Sequence, residues 1–203
     1  MKFRDMTLQN FINTLSNNQP TPGGGSAAAV VTAMGAALLR MYASISARSK
    51  KVEPENQALC HEIATLAQPL YEKALTLADK DSEAYERVVA AFRLPKDTED
   101  EKNNRRKQIL EATIEAARIP LTTAETAQNV IEHCQVLKDK GTPFALSDLE
   151  TAYQLARAGL IGALENVAIN LEGLDNDSRP GDIVDAFERL QSFLASLPLR
   201  LTG

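Results

Sequence analysis

The stretch AAAVVTAMGAALL, residues 27–39, is apolar around nearly its whole circumference when it is read as a helix. A second stretch, AYQLARAGLIGALENVAINL at residues 152–171, carries only scattered polar positions. Helices of this composition have to be covered on all sides by other parts of the protein. Their alanines and glycines, including Gly35, Gly159 and Gly162, allow close approach of helix backbones. We therefore predict a helical bundle built around these two segments.

The remaining chain has helical periodicity nearly throughout its 203 residues, without convincing strand-like alternation. The pattern predicts seven helices: about 5–16, a second from the glycines at 23–25 to about 48, then about 54–92, 98–118, a fifth that ends at 141, 148–172 and 182–197. Pro69 predicts a kink in the third helix, and Pro120 predicts a break between the fourth and fifth. We expect an all-α bundle in a single domain, 1–203, and a homodimer that completes burial of both apolar helices, because one monomer would enclose only one of them.

Composition narrows the range of partners and of cellular locations. A net charge of -5 and a pI near 5.2 argue against nucleic acid as the ligand, since binders of the phosphate backbone carry concentrated basic surfaces. The apolar run is short and is followed by Arg40, which argues against a membrane span. Two cysteines and an N-terminus unlike a secretion signal predict a cytoplasmic protein.

The sequence offers no convincing metal site. The pairs Cys60-His61 and His133-Cys134 are the only places where cysteine and histidine adjoin. Neighbouring helical residues point about 100° apart, so neither pair can chelate one ion from a single helix. We expect neither a metal nor a cofactor.

The segment PTPGGGS, residues 20–26, leads directly into the first apolar helix. A glycine-rich turn at a helix start presents free backbone N–H groups and the positive end of the helix dipole, which suits an anion or a carbonyl group. No lysine follows the glycines, so the segment is not a phosphate loop. In a purely structural alternative, Gly23, Gly24 and Gly25 make a tight turn and Ser26 caps the helix. Three glycines in a row favour close approach of a ligand or of another helix.

Asp81 lies on an apolar stripe of the third helix, formed at three- and four-residue spacing by Leu70, Ala74, Leu77, Tyr85 (or Ala84), Val88 and Phe92. A carboxylate on the core face is costly unless it is paired or lines a cavity. Burial also raises its pKa, which makes it a useful proton donor near neutral pH. The alternative is an aspartate paired with a basic residue of a neighbouring helix.

The sixth predicted helix contributes further polar candidates. Ser147 and Glu150 fit a capping box, which places Asp148 in the first turn, where the helix dipole favours its charged form. This arrangement alone explains both residues; if Asp148 takes part in the chemistry, it would be an electrostatic partner of Asp81. Asn166 and Asn170 share one face of this helix, where their amides would bond either a ligand or a neighbouring helix. Asp148 and Asn166 are about 27 Å apart along one helix, so only a bend or a second chain unites them.

Three segments together resemble one known family. They are PTPGGGSAAA at 20–29, DSEAYERVVAAFRLPKDTEDEKNNRRKQI at 81–109 and SDLETAYQLARAGLIGALENVAINL at 147–171. They resemble the formiminotransferase-cyclodeaminase superfamily, specifically its cyclodeaminase/methenyltetrahydrofolate cyclohydrolase domain. The resemblance implies an all-helical homodimer that acts on a one-carbon-loaded tetrahydrofolate. It also implies that Asp81 is the catalytic acid, and the position of Asp148 in the first turn of its helix makes it the second catalytic candidate. The implied substrate-binding residues are Gly23, Gly24, Gly25, Ser26, Ser147, Asn166 and Asn170.

The resemblance implies two reactions for one pocket. The preferred one is cyclodeamination of 5-formimino-tetrahydrofolate to 5,10-methenyl-tetrahydrofolate and ammonia. The alternative is hydrolysis of the methenyl compound to 10-formyl-tetrahydrofolate, and a further one is a folate-binding or scaffolding dimer without catalysis. A polyglutamylated folate and a separate formiminotransferase are possible partners. Arg40, Arg48, Lys50 and Lys51 either attract the glutamate tail of folate or only stabilise the C-terminus of their helix.

Overall fold

A computed structural model describes residues 2–201, which form six α-helices and three short 3₁₀ turns. The helices are α1 (Leu8–Leu15), α2 (Gly24–Ser46), α3 (Pro54–Phe92), α4 (Glu99–Leu137), α5 (Leu146–Glu172) and α6 (Gly181–Ser196). No strand occurs within residues 2–201, which confirms the predicted all-α class. The predicted number of seven helices is wrong by one for this part of the chain.

The difference arises at Pro120, which lies inside α4 and does not end it. Proline has no N–H, so the carbonyl of Ala116, four residues earlier, loses its helical donor. The side chain of Asn170 on α5 donates to this carbonyl at 3.1 Å. A distant residue thus satisfies the group that the proline leaves open, and the predicted fourth and fifth helices are one.

The core forms where α2 packs against α3 and α5. A Cβ at Gly35 would lie 2.9 Å from the carbonyl oxygen of Ala152, and a Cβ at Gly159 would lie 3.0 Å from that of Ala28. These contacts confirm the predicted close approach of backbones and show that α2 and α5 run antiparallel. As a result, the start of α2 lies beside the C-terminal half of α5.

One face of α2 stays exposed in the single chain. Met34, Met41 and Ile45 on this face are 48%, 39% and 45% exposed. By length and composition alone, α2 would be able to cross a membrane, but half of its most apolar window is buried inside the protein. Core helices of globular proteins have the same composition, so this feature is weak evidence for a membrane span.

Candidate active site

A pocket of about 300 Å³ lies at the N-terminal end of α2, where α3, α4 and α5 meet. Its lining residues are Pro20, Thr21, Gly23, Gly24, Gly25, Asp81, Tyr85, Val88, Ala116, Asn166, Ile169 and Asn170. The pocket therefore brings together the three glycines, the aspartate of α3 and the two asparagines of α5, which are far apart in the sequence.

Asp81 reaches the pocket from the C-terminal half of α3. The hydroxyl of Ser26 donates to its Oδ2 at 2.8 Å. Burial raises the pKa of the Asp81 carboxyl above its usual value, and hydrogen bonds from the Ser26 side chain and backbone only partly oppose this rise. A carboxyl group with a raised pKa exchanges protons more readily near neutral pH than an exposed aspartate does.

The third glycine is required for space, and the second has little room for a larger side chain. A Cβ at Gly25 would lie 2.7 Å from Cγ of Asp81, and a Cβ at Gly24 would lie 3.3 Å from Nδ2 of Asn166. No glycine among residues 2–201 has a positive φ, so backbone conformation does not explain these positions. Gly24 and Gly25 instead allow the start of α2 to lie directly against the polar side chains of the pocket.

The capping role proposed for Ser26 in the structural alternative is wrong. The helix begins at Gly24 with Gly23 as its N-cap, so Ser26 lies inside the first turn and is fully buried. Its hydroxyl faces α3, within hydrogen-bonding distance of the Asp81 carboxylate and of the Ala78 carbonyl oxygen, at 3.2 Å from the latter. Ser26 thus connects the start of α2 to Asp81.

Asn166 and Asn170 direct their amide nitrogens to backbone carbonyls. Nδ2 of Asn166 donates to the Gly162 carbonyl at 2.7 Å, and Nδ2 of Asn170 donates to the carbonyls of Ala116 and Asn166. Their Oδ1 atoms have no donor within residues 2–201. The two amides therefore serve helix packing through nitrogen and offer acceptors to a ligand through oxygen.

We predict a strong energetic coupling between Asn170 and Pro120. Asn170→Leu removes the donor to the Ala116 carbonyl and should lower the free energy of unfolding by about 1–3 kcal/mol, as for other unsatisfied buried groups. In a Pro120→Ala background the helical N–H returns, so the same change should cost much less. Urea unfolding of the four proteins of this cycle measures the coupling. Equal costs in both backgrounds would contradict the role assigned to Asn170.

Ser147 and Asp148 do not line this pocket. The predicted capping box is also wrong, because the 3₁₀ turn Pro143–Ala145 runs directly into α5, which begins at Leu146 with Ala145 as its N-cap. Glu150 instead accepts hydrogen bonds from the Gln154 side chain and from the backbone N–H of Leu201. Within one chain, Asp148 therefore remains at the opposite end of α5 from Asn166.

Sequence reasoning did not assign the apolar lining of the pocket. Tyr85 lies one helical turn after Asp81 and lines the pocket, whereas the sequence predicted it only as a member of the apolar stripe of α3. Ile169, next to Asn170, is 67% exposed, which is unusual for a large aliphatic side chain. This exposure is visible only in the structure. No group of three histidine, cysteine, aspartate or glutamate side chains is placed to hold a metal ion between residues 2 and 201.

Most of this chain matches the model of a known protein family. A family model described as formiminotransferase-cyclodeaminase matches residues 7–188. This chain belongs to the formiminotransferase-cyclodeaminase family. The match includes the glycine segment, Asp81 and both asparagines, so every polar group of the pocket lies within the family domain.

Relatives within the formiminotransferase-cyclodeaminase family differ in length. The methenyltetrahydrofolate cyclohydrolase of Methylorubrum extorquens is 35% identical over 84% of this chain and 81% of its own length. The formimidoyltransferase-cyclodeaminase of Rattus norvegicus is 31% identical over 85% of this chain, which spans only 32% of that protein. A crystal structure of formiminotetrahydrofolate cyclodeaminase from Thermotoga maritima superposes with a TM-score of 0.84 at 25% identity and covers 96% of this chain and 92% of the other.

Proposed function

We propose that this chain is a methenyltetrahydrofolate cyclohydrolase. The observation that carries the proposal is the relative of that name, which matches over most of both chains at 35% identity. The formimidoyltransferase-cyclodeaminases match over only about a third of their length. The comparisons thus favour the alternative reading of the sequence over the cyclodeaminase that the sequence analysis preferred.

The pocket has the groups that this hydrolysis needs. In 5,10-methenyl-tetrahydrofolate one carbon joins N5 and N10 and shares a positive charge with them. The Asp81 carboxylate and the Oδ1 atoms of Asn166 and Asn170 place negative charge and acceptors where such a cation would bind. The bound cation would also favour the ionised form of Asp81, since an opposite charge lowers a carboxyl pKa.

Asp81 would move one proton in each direction. Water attacks the methenyl carbon and gives a proton to the ionised carboxylate, which forms a neutral hydroxyl adduct. The bond from this carbon to N5 then breaks, N5 takes the proton back from Asp81, and the hydroxyl becomes the formyl carbonyl on N10 as its proton leaves to solvent. A raised carboxyl pKa suits a group that must both accept and return a proton.

Cyclodeamination is the second candidate function. It is favoured by the Thermotoga maritima cyclodeaminase, whose fold covers nearly the whole of this chain. In that reaction N10 attacks the formimino carbon on N5 and its proton passes to the imino nitrogen. The neutral Asp81 carboxyl would then protonate the resulting amino group, which leaves as ammonia. The same carboxylate would then lie beside the cationic methenyl product.

The two reactions are separated by the absorbance of the methenyl chromophore. Purified protein should accelerate the loss of 5,10-methenyl-tetrahydrofolate well beyond the spontaneous rate in the same buffer, with 10-formyl-tetrahydrofolate as the product. Appearance of the chromophore from 5-formimino-tetrahydrofolate, with release of ammonia, would favour the cyclodeaminase instead. A protein that changes neither rate would overturn both candidates.

The exposed face of α2 supports a homodimer as part of the proposed function. Met34, Met41 and Ile45 form an apolar stripe that the single chain leaves uncovered, although α2 is otherwise the central helix. A second copy is the simplest partner with a matching surface. Asp148 lies near the C-terminal end of α2, whereas the pocket lies at the N-terminal end. It would therefore act in catalysis only if the second copy supplied it.

We expect Met41→Lys to convert the dimer to a monomer. A lysine charge in an apolar interface would lose its hydration without gaining a charged partner. The free energy of this desolvation exceeds what the apolar contacts around one residue contribute to association. Size-exclusion chromatography with light scattering measures the mass, and Lys138→Met, an exposed change elsewhere, serves as the control. A wild-type protein that is already monomeric at micromolar concentration would contradict the dimer.

A further inference from the structure

The Ser26 hydroxyl has two acceptors within reach and only one proton. Its Oγ lies 2.8 Å from Oδ2 of Asp81 and 3.2 Å from the carbonyl oxygen of Ala78. A serine hydroxyl donates one hydrogen bond and accepts up to two. Ser26 therefore donates to one of these two oxygens at a time. Rotation about its Cβ–Oγ bond exchanges them without movement of any heavier atom.

The two contacts of Ser26 suit both protonation states of Asp81. When the carboxyl is ionised, the Ser26 proton points to Oδ2, because hydrogen bonds to a charged acceptor are the stronger ones. When Oδ2 carries a proton, that proton can point to Oγ of Ser26, whose own proton then points to the Ala78 carbonyl. When Oδ1 carries it instead, Ser26 continues to donate to Oδ2. Asp81 thus keeps a hydrogen bond to Ser26 in every state.

Ser26 is placed to act on Asp81 and not on a ligand. It is fully buried and is not among the residues that line the pocket, unlike Gly24 and Gly25 before it. The family resemblance implies a substrate-binding role for Ser26 together with the glycines. Its side chain points to α3 instead, so its influence on a reaction in the pocket passes through the Asp81 carboxyl.

We propose that Ser26 is a positioning residue for proton transfer by Asp81, which holds the carboxyl in one place while a proton arrives and leaves. The proposal rests on the function proposed above, since it concerns the proton steps of that reaction. Asp81 takes one proton from the attacking water and later gives one proton to N5. Ser26 follows both steps by rotation of its hydroxyl and is chemically unchanged at the end.

Ser26 also favours the ionised form of Asp81. Burial raises the pKa of this carboxyl, while the Ser26 hydroxyl and the Ser26 backbone N–H, in the first turn of α2, lower it. Tyr85, on α3 itself, is the other ionisable residue of the pocket lining. The carboxylate of Asp79, two residues before Asp81, is paired with Arg4 outside the pocket. The lining residues from α2, α4 and α5 carry no ionisable side chain: Gly24, Gly25, Ala116, Asn166, Ile169 and Asn170.

The first experiment measures the pKa of Asp81 directly in wild type and in Ser26→Ala. Carbon-13 NMR of labelled aspartate carboxyls follows the titration, and the Asp81 signal is the one that is absent from Asp81→Asn. Ser26→Ala removes the hydroxyl that donates to the ionised carboxylate, so the pKa of Asp81 should rise above its wild-type value.

Ser46→Ala is the matched control for Ser26→Ala. Ser46 is also fully buried in α2, at the opposite end of the helix from the pocket. Its Oγ accepts a hydrogen bond from the backbone N–H of Thr142 at 2.9 Å. Its replacement should lower Tm, because it leaves a buried N–H without a partner, and should leave the titration of Asp81 unchanged.

The second experiment measures the pH profile of kcat/KM for 5,10-methenyl-tetrahydrofolate. On the acid side of the profile, Ser26→Ala should lower kcat/KM about tenfold, as for loss of one hydrogen bond to a charged group. The rate should recover in part as pH rises through the raised pKa of Asp81. Ser26→Cys, with a weaker donor of similar size, should give an intermediate profile. A substrate-binding role of Ser26 predicts instead a higher KM at every pH and an unchanged titration of Asp81.

Other outcomes separate this inference from the proposed function. If the pKa of Asp81 is the same in Ser26→Ala and wild type, the inference is overturned whatever the activity. If that pKa rises but the pH profile of an active enzyme stays unchanged, Ser26 has no part in the proton transfer, and the function stands without it. If wild type does not hydrolyse the methenyl compound, the proposed function fails. The NMR titration then decides alone whether Ser26 controls the ionisation of Asp81.

Discussion

Replacing Asp81 with asparagine should lower kcat by about a hundredfold or more while the helical content stays unchanged, since proton transfer by a positioned side chain contributes about 10²–10⁴-fold. Asparagine keeps the size of the side chain and can still accept the hydrogen bond from Ser26. It can neither accept the proton of the attacking water nor return it to N5. The initial rate of chromophore loss at saturating methenyl-tetrahydrofolate measures this effect.

The same substitution should stabilise the protein at neutral pH. The pKa of Asp81 is raised in the folded state, mainly by burial, so the ionised carboxylate is less favourable there than in the unfolded chain. This penalty is absent below the unfolded pKa and grows as pH rises through the folded pKa. Thermal unfolding followed by circular dichroism should give Asp81→Asn the higher Tm at pH 7, with the difference vanishing near pH 4.

Asp79→Asn is the matched control for Asp81→Asn. Asp79 is a buried carboxylate two residues earlier on α3, outside the pocket. It accepts hydrogen bonds from the backbone N–H of Phe3 and from Nε of Arg4, so its replacement should weaken the docking of the N-terminal segment. We expect it to lower Tm and to leave kcat nearly unchanged. A similar loss of kcat in both variants would show that Asp81 has no specific chemical role.

The periodic parts of the sequence predicted the fold well, because they encode contacts that each helix makes along its own face. The apolar character of α2 and α5, and the position of Asp81 on the core stripe of α3, can be read from residues within one helix. These local patterns sufficed to predict an all-helical protein and a core-facing carboxylate that either lines a cavity or pairs with a basic residue of a neighbouring helix.

One of the two errors concerns a position where a distant residue decides the local structure. Pro120 does not break α4, because Asn170 on α5 bonds the carbonyl that the proline leaves free. The predicted capping box at Ser147 fails because the preceding 3₁₀ turn already continues into α5. Asn170 is not visible in the local pattern around Pro120, which resembles an ordinary helix break.

The glycine segment shows the same limit within the candidate site. The sequence indicated that something lies close to the backbone of Gly23, Gly24 and Gly25, but it did not identify the neighbour. In the fold, the atoms next to Gly25 belong to Asp81, 56 residues later in the chain. The glycines and the aspartate, weighed as separate candidates from the sequence, are therefore parts of one arrangement.

Replacing Gly25 with alanine should consequently lower activity nearly as much as replacing Asp81 itself. The new Cβ would lie 2.7 Å from Cγ of Asp81, closer than carbon atoms pack in proteins, so either the carboxylate or the start of α2 has to move. Movement of the carboxylate separates it from the Ser26 hydroxyl and from the reacting carbon. A displacement of about 1 Å at a reacting group can reduce the rate about a hundredfold.

Gly181→Ala is the control, because a Cβ at Gly181, the first residue of α6, meets no atom within 4 Å. It should leave both kcat and Tm close to wild type. Gly25→Ala should also abolish the additional effect of Asp81→Asn, since a misplaced carboxylate has little activity left to lose. If Gly25→Ala remains folded and retains wild-type kcat, the contact between Gly25 and Asp81 does not position the carboxylate for catalysis, and the three glycines would need another explanation.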